Sequence, residues 1–209
     1  MKYSAFKQKV RTFPVFSTSQ LSAVTDKVET LKVQLSLWKK RGLVRSLRQG
    51  LYVLSPEERR VEPSPFYLAN QIFMPSYVSL ESALAAHGLI PEFVAPTTSV
   101  TTRKTCRFEN EFGLFTYQHV LPKAYGGFDA IREGEKFSML IASPEKAVVD
   151  FLYFNLSQFH PSKGSIFTES YRFQNCEDLD RKKLRAFAKR FGTQKLFLVV
   201  ELFIKEVLR

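Results

Sequence analysis

The residues with the clearest chemical pattern are basic and polar side chains between residues 27 and 48. The stretch "WKKRGLVRSLRQGLYVL" places three consecutive basic residues behind a tryptophan, and two more arginines follow between apolar runs. Lysine and arginine neutralise backbone phosphates, whereas hydroxyl and amide side chains hydrogen-bond to base edges in the major groove. The chemistry that this pattern predicts is recognition of duplex DNA.

A helix formed by "VETLKVQLSLWKKRG" would position most of these side chains. Leu31, Leu35 and Trp38 recur at the spacing of one buried helical stripe. Gly42 follows where a left-handed C-terminal cap is expected. Trp38 is therefore predicted to belong to the core, and the opposite face of the helix is predicted to enter the major groove.

The predicted contact residues divide by chemistry into three sets. The polar residues that could hydrogen-bond to base edges are Thr30, Gln34 and Ser36. The apolar residues that could contact thymine methyl groups are Val33 and Leu37. The basic residues that would neutralise phosphates are Lys27, Lys32, Lys39, Lys40, Arg41, Arg45 and Arg48.

Two shorter helices are predicted before the long one. Residues 3–11 form the first, and Pro14 prevents its continuation. Ser17 or Thr18 could cap a second helix running to about Val24, since either hydroxyl can accept an otherwise unpaired first-turn N–H.

A hairpin is predicted after the long helix. Tyr52 and Val53 favour an extended chain, and Gly50 suits the turn in "LVRSLRQGLYVL". The order helix, helix, longer helix and basic hairpin is that of a winged helix-turn-helix. Arg45 and Arg48 would lie on the wing, where they could also reach the minor groove.

Charge is concentrated in the same part of the chain. The 209 residues include 31 Lys or Arg and 20 Asp or Glu, giving a formal charge of +11. Residues 1–60 hold 13 basic and 4 acidic residues, whereas residues 61–209 hold 18 and 16. A solvated basic helix end explains "KKR" alone equally well. The DNA-binding interpretation therefore depends on the charge excess, the helix pair and the hairpin arginines together.

The segment "SPEERRVEPSPF" indicates a linker at about residues 55–65, because its prolines interrupt regular structure. It separates a predicted winged helix-turn-helix domain (1–60) from a mixed α/β domain (61–209). In the latter, "FYLANQIF", "SLESALAAHGL" and "ASPEKAVVDFLYF" predict helices, with Ser79 and Ser143 as N-caps. The stretches "TTSVTTR", "FGLFTYQHV" and "EKFSMLIA" predict a small, partly antiparallel sheet, and two helices close the chain. The predicted fold class is α+β.

Motifs for catalysis, metals or cofactors are absent from the sequence. "PSKGS" lacks the glycine spacing of a phosphate loop, and no GxSxG elbow occurs. Glu109 and Glu111 in "FENEF" could form a paired-carboxylate site, but a solvated turn explains them better. The histidines without recognisable ligand partners are His87, His119 and His160. We therefore expect no catalytic residue, no metal, no cofactor and no enzymatic activity.

The two cysteines, Cys106 and Cys176, lie in unrelated contexts and support neither a disulfide framework nor a zinc site. The N-terminus "MKYSAFKQKV" lacks an apolar signal region, and Glu201 interrupts the apolar run "LFLVVELFI". A cytoplasmic protein without membrane contact is expected.

Four stretches in this order are similar to AbiEi-type antitoxins of the AbiE abortive-infection systems, which are type IV toxin–antitoxin systems. They are "LSLWKKRGLVRSLRQGLYVL", "PSYVSLESALAAHGLIPE", "TSVTTRK" and "ASPEKAVVDFLY". The resemblance covers about residues 17–154, and its specificity comes from order and spacing rather than from any single motif.

The resemblance implies a phage-defence protein with two roles. The winged helix would bind inverted repeats in its own promoter and repress the operon. The second domain would counteract a nucleotidyltransferase-like toxin of AbiEii type, for which a stable complex is not required. The residues at matching DNA-binding positions are Thr30, Lys32, Gln34, Ser36, Lys39, Lys40, Arg41, Arg45 and Arg48. Two alternatives stay open: a transcriptional regulator with a ligand-sensing or dimerisation domain, and a degenerate nuclease or transferase domain.

Overall fold

Two sheets and seven α-helices form in the part of the chain that the computed structural model describes, namely residues 1–23, 28–133, 137–159 and 164–208. This composition confirms the α+β class. No helix within the described residues is both long and apolar enough to cross a membrane.

The N-terminal part combines two helices with a three-stranded sheet. The helices are α1 (Tyr3–Val10) and α2 (Val28–Lys40). The strands β1 (Phe16–Ser17), β2 (Val44–Arg48) and β3 (Leu51–Leu54) pair antiparallel in the order β1-β3-β2. The predicted first helix, long helix and hairpin are confirmed.

The predicted second helix begins where the sequence places it, directly after Ser17, but it is a 3₁₀ helix. Ser17 belongs to β1 and pairs with Leu51, and a 3₁₀ helix over Thr18–Ala23 follows. The Ser17 hydroxyl does not accept a first-turn N–H as predicted; the hydroxyl and the amide N–H of Ser17 both donate to Oε1 of Gln20, at 3.2 Å and 2.9 Å. The predicted end at Val24 lies outside the described residues.

A small core fixes the orientation of α2. Leu31, Leu35 and Trp38 are buried against α1 and β1, as their spacing predicts. The Trp38 ring lies with its centroid 4.8 Å from that of Phe6, which in turn contacts Phe16 edge-on at 5.4 Å. The core role predicted for Trp38 is confirmed.

The second sheet has six strands in the order β6-β7-β5-β4-β9-β8. They are β4 (Ser76–Val78), β5 (Thr97–Thr101), β6 (Cys106–Asn110), β7 (Gly113–His119), β8 (Phe128–Glu133) and β9 (Phe137–Ala142). The pairs β4/β9 and β5/β7 are parallel, and the other three are antiparallel. Sequence patterns did not predict the outer strands β6 and β8, since charged residues interrupt their apolar positions.

Five helices accompany this sheet. They are α3 (Pro65–Ile72), α4 (Leu80–Ala86), α5 (Pro144–Phe154), α6 (Arg181–Phe191) and α7 (Gln194–Val207). The predicted cap of α5 is confirmed, because Oγ of Ser143 accepts the Lys146 amide at 3.3 Å. Ser79 precedes α4 as predicted, but its hydroxyl makes no cap bond and donates instead to Asp150. A single π-helical turn at Ile166–Ser170 was not predicted.

The β2-β3 hairpin connects the two parts of the molecule. Val44 and Leu54 pack into the N-terminal core. Leu47, Leu51 and Val53 join the larger core around the second sheet. The hairpin is therefore a shared element, although it lies on the N-terminal side of the predicted linker.

Candidate nucleic-acid interface

The outward face of α2 presents most of the predicted contact residues to solvent. Val33 and Leu37 are unusually open for apolar side chains, with 63% and 48% exposed surface. The other exposed members of the face are Thr30, Lys32, Ser36, Lys39, Lys40 and Arg41. Since Leu31, Leu35 and Trp38 hold the reverse side, this face has one fixed orientation relative to the small core.

Two residues of this face already have partners. Lys32 forms an exposed ion pair with Glu29 one turn earlier, so its charge is partly balanced. Gln34 is half-buried, and its Oε1 accepts a hydrogen bond from the N-terminal ammonium of Met1 at 3.0 Å. Its amide nitrogen remains a donor for a base-edge acceptor. Lys27, also predicted to contact phosphate, lies outside the described residues.

The two hairpin arginines face the second part of the chain. Nη1 of Arg45 lies 3.5 Å from Oε2 of Glu111, in the turn between β6 and β7. Arg48 donates from Nε to the carbonyl of Ile72 at 2.6 Å and from Nη1 to the carbonyl of Gln49 at 3.0 Å. Arg48 therefore acts as a structural anchor for the hairpin, a role that the sequence pattern did not predict.

An open cleft of about 390 Å³ separates the hairpin from the β6-β7 turn. Its basic side carries Lys39, Arg45 and Arg48, and its acidic side carries Glu109 and Glu111. Glu111 is exposed and lies in the turn, as the sequence-based interpretation predicts, although it also pairs with Arg45. Glu109 is exposed too, but it lies within β6 rather than in the turn.

A second basic surface lies beside Phe73 and Met74, the two residues that follow Ile72 in the chain. Arg103 stacks over the ring of Phe73, with its guanidinium carbon 4.4 Å from the ring centroid, and donates to the carbonyl of Met74 at 3.3 Å. With the exposed Lys104, it borders an open groove of about 720 Å³. The sequence pattern gave no signal for this surface beyond "TTRK".

Sequence reasoning also missed a buried polar cluster between β4, α4 and α5. Lys146 pairs with Oδ1 of Asp150, while Oδ2 accepts hydrogen bonds from Tyr77 and Ser79 at 2.9 Å and 2.8 Å. Burial raises the pKa of the Asp150 carboxyl and lowers the pKa of the Lys146 ammonium. Because all four side chains are buried, the cluster holds helices and sheet together rather than meeting a ligand.

The described histidines have backbone partners. Nε2 of His87 lies 2.8 Å from the carbonyl of Ala142, and Nδ1 of His119 lies 2.9 Å from the carbonyl of Arg103. Within the described residues, no group of three or more His, Cys, Asp or Glu side chains is arranged to hold a metal ion. The third histidine, His160, lies outside them.

Comparison of the sequence with known protein families gave no match, and no curated protein matched it significantly either.

Proposed function

We propose that the N-terminal part is a winged helix-turn-helix that binds duplex DNA through the exposed face of α2. One observation carries this proposal: polar, apolar and basic side chains share a solvent-facing side of a helix whose reverse side is fixed by Trp38. A helix of 13 residues fits the major groove, which accepts a helix side-on.

Within the proposed interface, different residues supply specificity and affinity. Thr30, Ser36 and the amide of Gln34 would hydrogen-bond to base edges, while Val33 and Leu37 would contact thymine methyl groups. Phosphate contacts would come mainly from Lys39, Lys40 and Arg41 at the end of the helix, with Lys27 and Lys32 at its start. Arg45 would contribute from the hairpin, whereas Arg48 is largely occupied by backbone carbonyls.

We further propose that the protein is an antitoxin of the AbiE type, which represses its own operon and counteracts a nucleotidyltransferase-like toxin in the cytoplasm. The support is the order of motifs shared with AbiEi-type antitoxins. Two of these motifs supply the buried cluster: "PSYVSLESALAAHGLIPE" contributes Tyr77 and Ser79, and "ASPEKAVVDFLY" contributes Lys146 and Asp150. These motifs thus support a shared fold of the second part, and the antitoxin activity itself follows from the resemblance.

A salt titration of DNA binding tests the first proposal. The probe is the duplex directly upstream of the coding sequence, compared with an unrelated duplex of equal length. Each lost phosphate contact reduces the slope of log affinity against log salt by about 0.9. We expect Lys39→Ala with Lys40→Ala to reduce the slope by about two.

The matched control is Lys182→Ala with Lys195→Ala, which removes the same charge from exposed positions at the start of α6 and α7. The control should leave the slope unchanged. Equal slopes for both double variants would contradict an interface on α2.

Growth measurements test the antitoxin proposal. The product of the neighbouring reading frame would be co-expressed either with the wild-type chain or with the Lys39→Ala, Lys40→Ala double variant, which keeps the hairpin residues of the larger core. Rescue of growth by both forms is expected, since the proposed antitoxin activity belongs to the second part. If neither form rescues growth while the upstream DNA is still bound, the regulator without antitoxin activity is the better description.

A further inference from the structure

A carboxylate of the second part is paired with an arginine that the hairpin would offer to DNA. Nη1 of Arg45 lies 3.5 Å from Oε2 of Glu111, and the two side chains remain 42% and 43% exposed. Solvent, and therefore a DNA backbone, can reach both groups. A phosphate that approaches β2 meets an arginine that already has a negative partner.

The position of Glu111 is fixed by its neighbours in the β6-β7 turn. Nδ2 of Asn110 donates to the carbonyl of Leu47 on β2 at 3.0 Å. Oδ1 of the same side chain accepts the amide N–H of Phe112 at 2.8 Å. These bonds flank Glu111 on both sides, so its backbone is held against the hairpin.

The Arg45–Glu111 pair is incomplete. It is a single contact, and Nε of Arg45 is buried without a hydrogen-bond partner in the described part of the chain. A phosphate can accept two parallel hydrogen bonds from a guanidinium, which makes it a stronger partner than one distant carboxylate oxygen. Exposed ion pairs are weak and shift an equilibrium by roughly fivefold at most. Glu111 can therefore be displaced at a modest cost in affinity.

We propose that Glu111 is autoinhibitory: it competes with DNA phosphates for Arg45, so that the second part of the chain limits how tightly the hairpin binds DNA. This inference rests on the proposed DNA-binding function. On binding, Arg45 exchanges the carboxylate for a phosphate, and the freed, exposed carboxylate attracts a cation from solution. That uptake offsets part of the counterion release and makes the salt dependence shallower.

The test compares Glu111→Gln with Glu109→Gln. Each removes one negative charge from the same cleft, but Glu109 forms no ion pair among the described residues. DNA affinity is measured by fluorescence anisotropy over a series of salt concentrations, with the upstream duplex as probe. We expect Glu111→Gln to bind about three- to fivefold more tightly at low salt, with a slope steeper by up to roughly one. Glu109→Gln should raise DNA affinity at low salt by less than about twofold.

A second background isolates the competition itself. In the Arg45→Ala variant, Glu111→Gln should raise DNA affinity no more than Glu109→Gln does. The reason is that Arg45, for which Glu111 and the DNA phosphates compete, is absent. Equal gains for the two glutamine variants in the wild-type background would overturn the autoinhibitory role and leave DNA binding intact. Failure of the wild-type protein to bind the duplex even at low salt would instead overturn both proposals.

Discussion

The ammonium group of Lys146 and the carboxylate of Asp150, one helical turn apart on α5, form an ion pair from which solvent is excluded. Their side chains are 1% and 0% exposed. Tyr77 and Ser79 complete the shell of the carboxylate, and the ring of Phe191 lies with its centroid 4.7 Å from the ammonium nitrogen. Both charges are therefore compensated inside an otherwise apolar environment.

Removing one partner of this pair should destabilise the fold strongly. Asp150→Asn leaves a buried ammonium without its counter-charge, and such changes cost about 3–5 kcal/mol in the free energy of unfolding. The double variant Lys146→Met with Asp150→Leu removes both charges and should recover most of that loss. Urea unfolding of the wild-type protein and the two variants checks the prediction. A double variant no more stable than Asp150→Asn would contradict it.

Local patterns predicted the parts of the fold that depend on neighbours in sequence. The stripe of Leu31, Leu35 and Trp38 identified α2, because helical periodicity is a local property. The pairing of Ser17 with Leu51 depends on a strand far along the chain, so local patterns did not predict the short strand β1 that precedes the helix.

The candidate site shows the same division. The basic composition around α2 was visible in the sequence, but the partners of the hairpin arginines were not. Arg48 reaches the carbonyl of Ile72 and Arg45 reaches Glu111, and both contacts arise only when β2 packs beside the second sheet. The spacing of Lys146 and Asp150 was equally visible, yet nothing in it distinguished a buried pair from a solvated one.

The Cys176 thiol should resist alkylation until the protein unfolds. Burial, followed by the nearby Glu177, raises its pKa to about 12, and its thiol donates to the carbonyl of Gln174. In a Cys106→Ser background, iodoacetamide labelling of the folded protein should therefore stay slow between about pH 7 and 10, whereas the urea-unfolded chain should react faster with rising pH. Rapid labelling of the folded protein at neutral pH would contradict this burial.

The same shift makes the stability of the fold depend on pH in the alkaline range. A thiol with a raised pKa in the folded state stabilises the fold fully at pH values below its ordinary pKa of 9.0. That contribution is lost as the pH rises from there towards 12. Cys176→Ala should accordingly flatten the alkaline decline in stability.

Two leucines on opposite faces of α2 should separate folding from DNA binding. Leu35 is 1% exposed and Leu37 is 48% exposed, although they are two residues apart. Leu35→Ala should lower the free energy of unfolding by about 2–5 kcal/mol. Leu37→Ala should change it by less than about 0.5 kcal/mol. Leu37→Ala should fold normally and yet reduce the preference for the upstream duplex over an unrelated one. An unaltered preference would remove Leu37 from the proposed interface.

The shared hairpin should make the two parts unfold together. Trp38 is the single tryptophan of the chain and lies in the small N-terminal core, so its fluorescence reports that core alone. Fluorescence and far-ultraviolet circular dichroism should give coincident thermal transitions. Leu47→Asp places a charge in the larger core from the hairpin side. It should lower the midpoint temperatures of both thermal transitions and make the two midpoints differ. Separate transitions in the wild-type protein would argue against coupling through the hairpin.

Arg48 should matter more for the hairpin than for DNA. Its Nε and Nη1 atoms are engaged with the carbonyls of Ile72 and Gln49, so a phosphate would have to displace bonds that hold β2 in place. Arg48→Ala should lower the free energy of unfolding by about 1 kcal/mol, the net value of a typical intramolecular hydrogen bond. It should leave the salt slope of DNA binding nearly unchanged, whereas Arg45→Ala should reduce that slope by up to about one. A slope that falls equally in both variants would restore Arg48 to the phosphate-contacting set, because an anchoring role alone releases no counterions.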